Sequence, residues 1–167
     1  MTRASATNKK ILLCRHADAQ WPTQHQTDFD RKLSKAGLLQ ADQMQKWLLH
    51  YVTEAPQVIC SASVRTLETA TIITSVYSDV SIEKYEELYN GASEDLLRII
   101  TNCPETHHFL MLVAHNPGIS NLASFLSGEN FSFNTGQLVL LDLAAEKWEE
   151  VSSGTGHVVS TFVPDQF

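Results

Sequence analysis

Two arginines and two histidines lie just beyond short apolar runs of the chain. Arg15 and His16 follow the run KILLC, Arg65 comes shortly after QVICS, and His115 follows FLMLVA. An arginine guanidinium presents a planar fork of donors that matches phosphate oxygens. A neutral imidazole is a nucleophile near pH 7, and a second histidine can donate to a phosphate oxygen. These residue types predict a pocket that accepts a phosphoryl group on histidine and passes it to water without a metal.

The elements that must position these residues are buried strands. The apolar runs at residues 10–14, 57–61 and 109–114 are continuous, which is typical of strands covered on both faces. In sheets of this kind ligands bind outside the carboxyl ends of the strands. We therefore expect the three strand ends to converge. The alternation of strands and helices predicts an α/β domain with a mostly parallel sheet and helices on both faces.

Four helices are expected between these strands and after them. Ser34 is a candidate cap for a helix over 35–52, and Ser63 begins a second helix. Ser93, followed by two acidic residues, predicts the start of a third. Asn116 is expected to be the N-cap of a fourth helix, with proline as its first helical residue.

The remaining segments are harder to assign from local pattern. A short strand is expected near 81–84, and residues 15–34 are polar and irregular, which indicates a loop. Residues 138–143 and 148–151 are predicted to form a hairpin. The final strand is predicted over 158–163, and the edge of the sheet is its expected place.

The composition indicates one globular domain over 1–167, with residues 1–9 a frayed N-terminus. The chain has 12 Lys and Arg against 19 Asp and Glu, a net charge of −7. That balance argues against a general nucleic-acid or anionic-membrane binder. Three cysteines do not suggest a disulfide framework, and no apolar run is long enough for a signal peptide or a membrane span. We expect a cytoplasmic, monomeric protein without a metal or cofactor.

Four segments, taken in order, carry a resemblance to a known family. They are LLCRHADA (12–19), DFDRKLSKAGLLQA (28–41), CSASVRTLETA (60–70) and LVAHNPGIS (112–120). Together they resemble the histidine phosphatase superfamily, and within it the SixA-type phosphohistidine phosphatases. The resemblance implies a three-layer α/β/α fold that is phosphoglycerate mutase-like, in a single histidine phosphatase domain.

The resemblance also implies roles for individual residues. His16 would be the nucleophile that becomes phosphorylated, Arg15 and Arg65 would clamp the phosphate, and His115 would complete the pocket.

Two further assignments follow from the same resemblance. Arg31, in DRKLS, matches an arginine that SixA-type proteins place near the phosphate. Asn116 would cap its helix, help to hold His115 and contribute to phosphate binding.

One departure from the family pattern bears on the substrate. Members that cleave phosphate esters tend to place a glutamate after the third strand region, as general acid for an alkoxide leaving group. Here the segment is EELYNG (86–91), and the acid's position falls on Tyr89 or Asn90, with Glu86 and Glu87 displaced. The N–P bond of phosphohistidine is labile once its imidazole is protonated, so such a substrate needs that acid less.

The sequence therefore favours a phosphohistidine phosphatase that acts on a protein, of the histidine-phosphotransfer type, in signal transduction. Two alternatives stay open. One is a small-molecule phosphomonoesterase in which Glu86 or Glu87 supplies the proton. The other is a phosphate-binding module without turnover.

Overall fold

The computed structural model describes residues 8–167, which contain one six-stranded sheet. The strands are β1 (Lys10–Arg15), β2 (Gln57–Ser61), β3 (Ile82–Tyr85), β4 (Phe109–Ala114), β5 (Leu138–Leu143) and β6 (Gly156–Phe162). Their order across the sheet is β3-β2-β4-β1-β5-β6. The first four strands in this order are parallel, whereas β5 is antiparallel to β1 and to β6. The predicted mostly parallel sheet is confirmed.

Four α-helices cover the two faces of this sheet. They are α1 (Lys35–Tyr51), α2 (Val64–Thr74), α3 (Ser93–Thr101) and α4 (Gly118–Ser127). Successive strand residues point to opposite faces, so Leu12 packs with α1 and α2 while Leu13 packs with α3 and α4. Both faces are buried, which explains the continuous apolar runs, and the three-layer α/β/α architecture is confirmed. Within residues 8–167 no helix has the length and apolar content that crossing a bilayer requires.

The helix starts follow the sequence prediction in some places and depart from it in others. The Ser34 hydroxyl accepts a hydrogen bond from the Gly37 amide at 3.0 Å, as expected of the α1 cap. Ser93 is already inside α3, whose cap position is Ala92. Asn116 is not the N-cap of α4: that position belongs to Pro117, and the bond between the two residues is cis. The Asn116 side chain instead donates to the Phe133 carbonyl and accepts from the Ser120 hydroxyl.

The predicted partner of β5 is wrong. Residues 148–150 form a short 3-10 turn, and β5 pairs with β6 in a register that sets Leu138 opposite Phe162. Trp148 is fully buried, and its indole Nε1 donates to the His107 carbonyl at 2.8 Å. This anchor turns the segment inward, away from the sheet edge. The strand at that edge is β6, as expected.

The expectation of a frayed segment over 1–9 is wrong at Lys9, while residues 1–7 lie outside the described part of the chain. The Lys9 side chain is only 1% exposed. Its Nζ lies 2.7 Å from a Glu105 carboxylate oxygen and donates to the carbonyls of Glu105 and His107. It also lies 5.1 Å from the ring centroid of Trp148. A carboxylate and two carbonyls satisfy the buried ammonium, so the chain is fixed from Lys9 onward.

Candidate active site

Parallel pairing brings the two histidines to the same edge of the sheet. The register of β1 and β4 sets Arg15 opposite Ala114, so the next residues, His16 and His115, leave the sheet side by side. The His16 amide donates to the Ala114 carbonyl at 3.3 Å. The two imidazole centroids are 5.1 Å apart, with an interplanar angle of 58°.

The backbone around His16 sets which of its ring nitrogens is free to react. Nδ1 lies 2.7 Å from the Ala17 carbonyl oxygen, which can only accept, so Nδ1 carries the proton. Nε2 is then left with its lone pair, and Arg65 Nε donates to it at 3.4 Å. The imidazole is buried and held in one tautomer, in which Nε2 is the ring nitrogen that carries the lone pair.

The surroundings of both histidines favour the neutral form. Burial lowers the pKa of His16 to about 3, and the neighbouring His115, Arg65 and Arg15 add to the effect. Burial and then Arg65 lower the pKa of His115 to about 4. Both imidazoles are therefore unprotonated near pH 7, the state that a nucleophilic histidine requires.

Arg65, in the first turn of α2, is held from two sides. Its Nε faces His16, its Nη1 donates to the Asp28 carbonyl at 2.6 Å, and its Nη2 donates to the Asp28 carboxylate at 3.0 Å. A guanidinium has five N–H donors, so two remain for another acceptor. Arg65 is thus oriented by the protein and retains donors for a phosphate oxygen.

Arg15 offers a second donor for an anion. Its Nη1 donates to the Phe133 carbonyl at 2.8 Å. Its Nε is buried and has no hydrogen-bond partner; within residues 8–167 no other buried side-chain nitrogen or oxygen is in that state. An unsatisfied buried donor costs ~1–3 kcal/mol, which a phosphate oxygen at this position would recover.

A backbone carbonyl holds Arg15, and a serine hydroxyl contacts the second histidine. The Phe133 carbonyl that accepts from Arg15 also accepts from Asn116 Nδ2 at 2.9 Å, and Asn116 Oδ1 accepts from the Ser120 hydroxyl. His115 Nε2 lies 2.8 Å from Ser61 Oγ, at the end of β2. Asn116 and Arg15 are therefore linked through one shared backbone carbonyl.

All six residues that the sequence assigned to the site line one cleft of about 280 Å³. The full lining is Arg15, His16, Asp18, Ala19, Arg31, Arg65, His115, Asn116 and Thr135. Arg31 reaches it from the loop before α1, with Nη1 donating to the Asp28 carboxylate at 2.8 Å and Nε to the Gln20 carbonyl at 2.6 Å. Three arginines and two neutral imidazoles make this cleft suited to a phosphoryl group.

Neither glutamate considered as a proton donor lines the cleft. Glu87 lies 3.5 Å from Arg98 and contributes to a separate cavity, and Glu86 is exposed. Tyr89 stands beside the cleft instead, with its ring centroid 5.7 Å from that of His115 and 5.8 Å from Arg65 Cζ. In this chain the segment that carries the acid in ester-cleaving members thus places the Tyr89 side chain beside the cleft.

Sequence reasoning missed the part that Asp28 and Tyr89 play at this site. Asp28 stands in the sequence only as the first residue of the segment at 28–41, with no role of its own, and Tyr89 only marks the position of an absent acid. Asp28 accepts hydrogen bonds from Arg31, Arg65 and Tyr89. No spacing along the chain reveals contacts between residues 37 and 61 positions apart, so no local signal could have found them.

Comparison with known proteins identifies a family and several relatives of this chain. Residues 11–97, more than half of the chain, match the histidine phosphatase superfamily (branch 1). An uncharacterized protein of Mycobacterium leprae is 25% identical over 163 residues, covering 90% of this chain and 99% of that protein. An uncharacterized chloroplastic protein of Arabidopsis thaliana is 27% identical over 165 residues, covering 92% and 75% of the two chains.

Solved structures share the fold over almost the whole chain. A protein histidine phosphatase SixA complexed with tungstate superposes with a TM-score of 0.75 at 23% identity, covering 93% of this chain and 97% of that one. The alpha-ribazole phosphatase of Shigella flexneri has a TM-score of 0.64 at 18% identity, covering 83% and 92%. The three-layer fold is therefore phosphoglycerate mutase-like, and the chain belongs to the histidine phosphatase superfamily (branch 1).

Proposed function

We propose that this chain is a metal-independent phosphohistidine phosphatase that acts on a phosphorylated protein. The observation that carries the proposal is the state of His16. Its Nδ1 proton is held by the Ala17 carbonyl, and its Nε2 lone pair faces Arg65. A site that only bound phosphate would not need a neutral histidine whose nucleophilic nitrogen is fixed in this way.

The reaction has two displacement steps at phosphorus. The phosphoryl group lies between Arg15, Arg65 and His115, whose donors stabilise its equatorial oxygens. Nε2 of His16 attacks phosphorus and forms an N–P bond, while the N–P bond of the substrate breaks and its imidazole leaves with a proton taken from solvent. Water then attacks the phosphoryl group on His16, the new N–P bond breaks, and inorganic phosphate leaves.

The choice of phosphohistidine over a phosphate ester rests on the position of the two candidate glutamates outside the lining of the described cleft. An alkoxide leaving group benefits from a positioned proton donor, whereas a protonated imidazole leaves without one. Neither Glu86 nor Glu87 lines the cleft. Asp18 does, and its carboxylate accepts a hydrogen bond from the Ser34 hydroxyl at 2.5 Å. A histidine displayed on a cytoplasmic signalling protein of the phosphotransfer type fits these requirements.

A paired hydrolysis assay in EDTA tests the proposal. One substrate is a histidine-phosphorylated phosphotransfer domain, and the other is 4-nitrophenyl phosphate. We expect rapid release from phosphohistidine and little from the ester, with both lost in His16→Ala. A preference for the ester would instead support a small-molecule phosphomonoesterase. Tight phosphate binding with no turnover of either substrate would support a binding module.

A further inference from the structure

A single carboxylate beside the cleft connects Arg31, Arg65 and Tyr89. Asp28 lies in a 3-10 turn (Asp28–Asp30) before α1. Its Oδ2 accepts from Arg65 Nη2 at 3.0 Å and from the Tyr89 hydroxyl, and its Oδ1 accepts from Arg31 Nη1 at 2.8 Å. Phe29, the next residue, packs edge-on against the Tyr89 ring at 5.0 Å. We call this set of contacts the Asp28 bridge.

The Asp28 bridge fixes the direction of Arg65. The backbone carbonyl of Asp28 accepts from Nη1 of the guanidinium and its carboxylate accepts from Nη2, while Nε donates to His16. Arg65 therefore presents its Nε to the nucleophile and its remaining N–H groups to the cleft. Asp28 acts through Arg65, which makes it a positioning residue for the phosphate clamp.

The same carboxylate also places a negative charge directly beside Arg65 and Arg31, both of which line the cleft. Half of the Asp28 side chain is exposed, and it lies one guanidinium away from His16. Hydrogen bonds from Tyr89 and Arg31 hold the pKa of this carboxyl well below its usual range, so the charge persists at any working pH. Asp18 adds a second carboxylate to the cleft lining.

We infer that Asp28 is a specificity-determining residue that selects phosphoryl donors whose leaving group carries no negative charge. A neutral or protonated imidazole meets this condition, whereas a carboxylate or second phosphate next to the phosphoryl group would be repelled. The inference rests on the proposed function for the identity of the preferred substrate. The inference itself concerns the preference of the cleft for uncharged over negatively charged ligands, which binding measurements without turnover can test.

The test uses two non-hydrolysable probes, phenylphosphonate and 4-carboxyphenylphosphonate, in calorimetric titrations. The wild-type chain should bind the carboxylated probe more weakly than the neutral one. Asp28→Asn keeps the shape and removes the charge, and should shift the ratio of the two Kd values by about 3- to 10-fold in favour of the carboxylated probe at low salt. Because the effect is electrostatic, it should shrink as ionic strength rises.

Two further variants separate charge from other effects. Asp28→Glu retains the charge and should keep a ratio close to that of the wild type. Asp30→Asn removes a carboxylate from the same turn, where it accepts from the Thr27 hydroxyl, and should leave the ratio unchanged. Equal weakening of both probes in Asp28→Asn would overturn the inference, as would a matching shift in Asp30→Asn or binding of neither probe to the wild type.

A negative result in the titrations can be told apart from a negative result in the hydrolysis assay. A chain that hydrolysed only esters would contradict the proposed function while the ratio of the two Kd values still answered the question about Asp28.

Discussion

Arg65 donates its Nε N–H to Nε2 of His16 at 3.4 Å, so the proposed phosphate clamp and the proposed nucleophile share one hydrogen bond. The opposite nitrogen of the same ring donates to the Ala17 carbonyl at 2.7 Å. A phosphoryl group that binds to Arg65 is therefore brought to the lone pair that attacks it. This arrangement makes the site testable residue by residue.

Replacing the nucleophile should remove the covalent step. In His16→Ala we expect a loss of turnover of at least ~10³-fold and no phosphoenzyme, because no other described side chain in the cleft is a neutral imidazole held with its Nε2 towards Arg65. Acid-quenched mass spectrometry after mixing with a phosphorylated domain measures the phosphoenzyme. The exposed His25→Ala serves as the control. Turnover that persists in His16→Ala in the presence of EDTA would remove His16 from the mechanism.

The buried histidines should make stability depend on pH. His16 has a folded-state pKa of about 3, whereas in the unfolded chain it titrates near 6.5. Between these values the unfolded chain binds a proton that the folded chain does not, so stability falls as the pH falls. We expect His16 to account for a loss of up to about 2 kcal/mol between pH 7 and pH 5.

Urea unfolding at several pH values measures this dependence. In His16→Gln the slope of stability against pH between 5 and 7 should be smaller than in the wild type, and His157→Gln, at an exposed position, should keep the full slope. Identical slopes in all three proteins would show that His16 is not held neutral by burial.

Arg15 should be required for anion binding. Its buried Nε has no protein partner, and lysine cannot supply a donor at that position because its ammonium lies at the end of a flexible stem. Inorganic phosphate should raise the Tm of the wild type, and in Arg15→Lys the Kd should rise by about tenfold or more. Arg98→Lys, on an exposed face of α3, is the control. An unchanged Kd in Arg15→Lys would place the anion elsewhere.

Trp21 should matter for a protein substrate and not for a small one. Its indole is 89% exposed, although Trp47 and Trp148 are buried. It borders a cavity of about 350 Å³ that shares Asp18 and Arg31 with the phosphate cleft. The indole is thus available to a polypeptide around the phosphorylated histidine, and large aromatic side chains contribute strongly to such contacts.

In Trp21→Ala we expect kcat/KM to fall by about tenfold for a histidine-phosphorylated domain and to stay unchanged for free phosphohistidine. Leu49→Ala, at the exposed C-terminal part of α1, is the matched control. Equal losses for both substrates would assign Trp21 to the structure of the loop and not to recognition.

Lys9 should contribute to stability in spite of its position near the start of the chain. Its ammonium has a carboxylate and two carbonyl partners, and Lys9→Met would leave the Glu105 carbonyl and carboxylate without this donor, while the His107 carbonyl would still accept from Trp148. We expect a loss of about 2–4 kcal/mol in urea unfolding. Lys46→Met, which breaks an exposed pair with Asp42, should cost less than about 0.5 kcal/mol. Similar small losses in both variants would mean that Lys9 is a surface residue in solution.

Much of the fold was predictable because its strongest signals are local. The continuous apolar runs at β1, β2 and β4 mark strands that are buried on both faces, and the Ser34 hydroxyl caps α1 within its own first turn. The predictions failed where a distant residue decided the outcome. Residues 148–150 turn away from the sheet because Trp148 is anchored on the His107 carbonyl, and Lys9 is ordered because of Glu105.

The sequence by itself determined the chemistry of the site: two arginines, two histidines and their places beyond the strand ends. Once those strands are parallel neighbours, their carboxyl ends meet, so residue type and strand position suffice to bring the four together.

Only the tertiary structure decided how these side chains are held. It set the tautomer of His16, the direction of Arg65 and the Asp28 bridge to Tyr89. Such contacts depend on how loops from distant parts of the chain meet, and side-chain direction at those meetings leaves no periodic trace in the sequence.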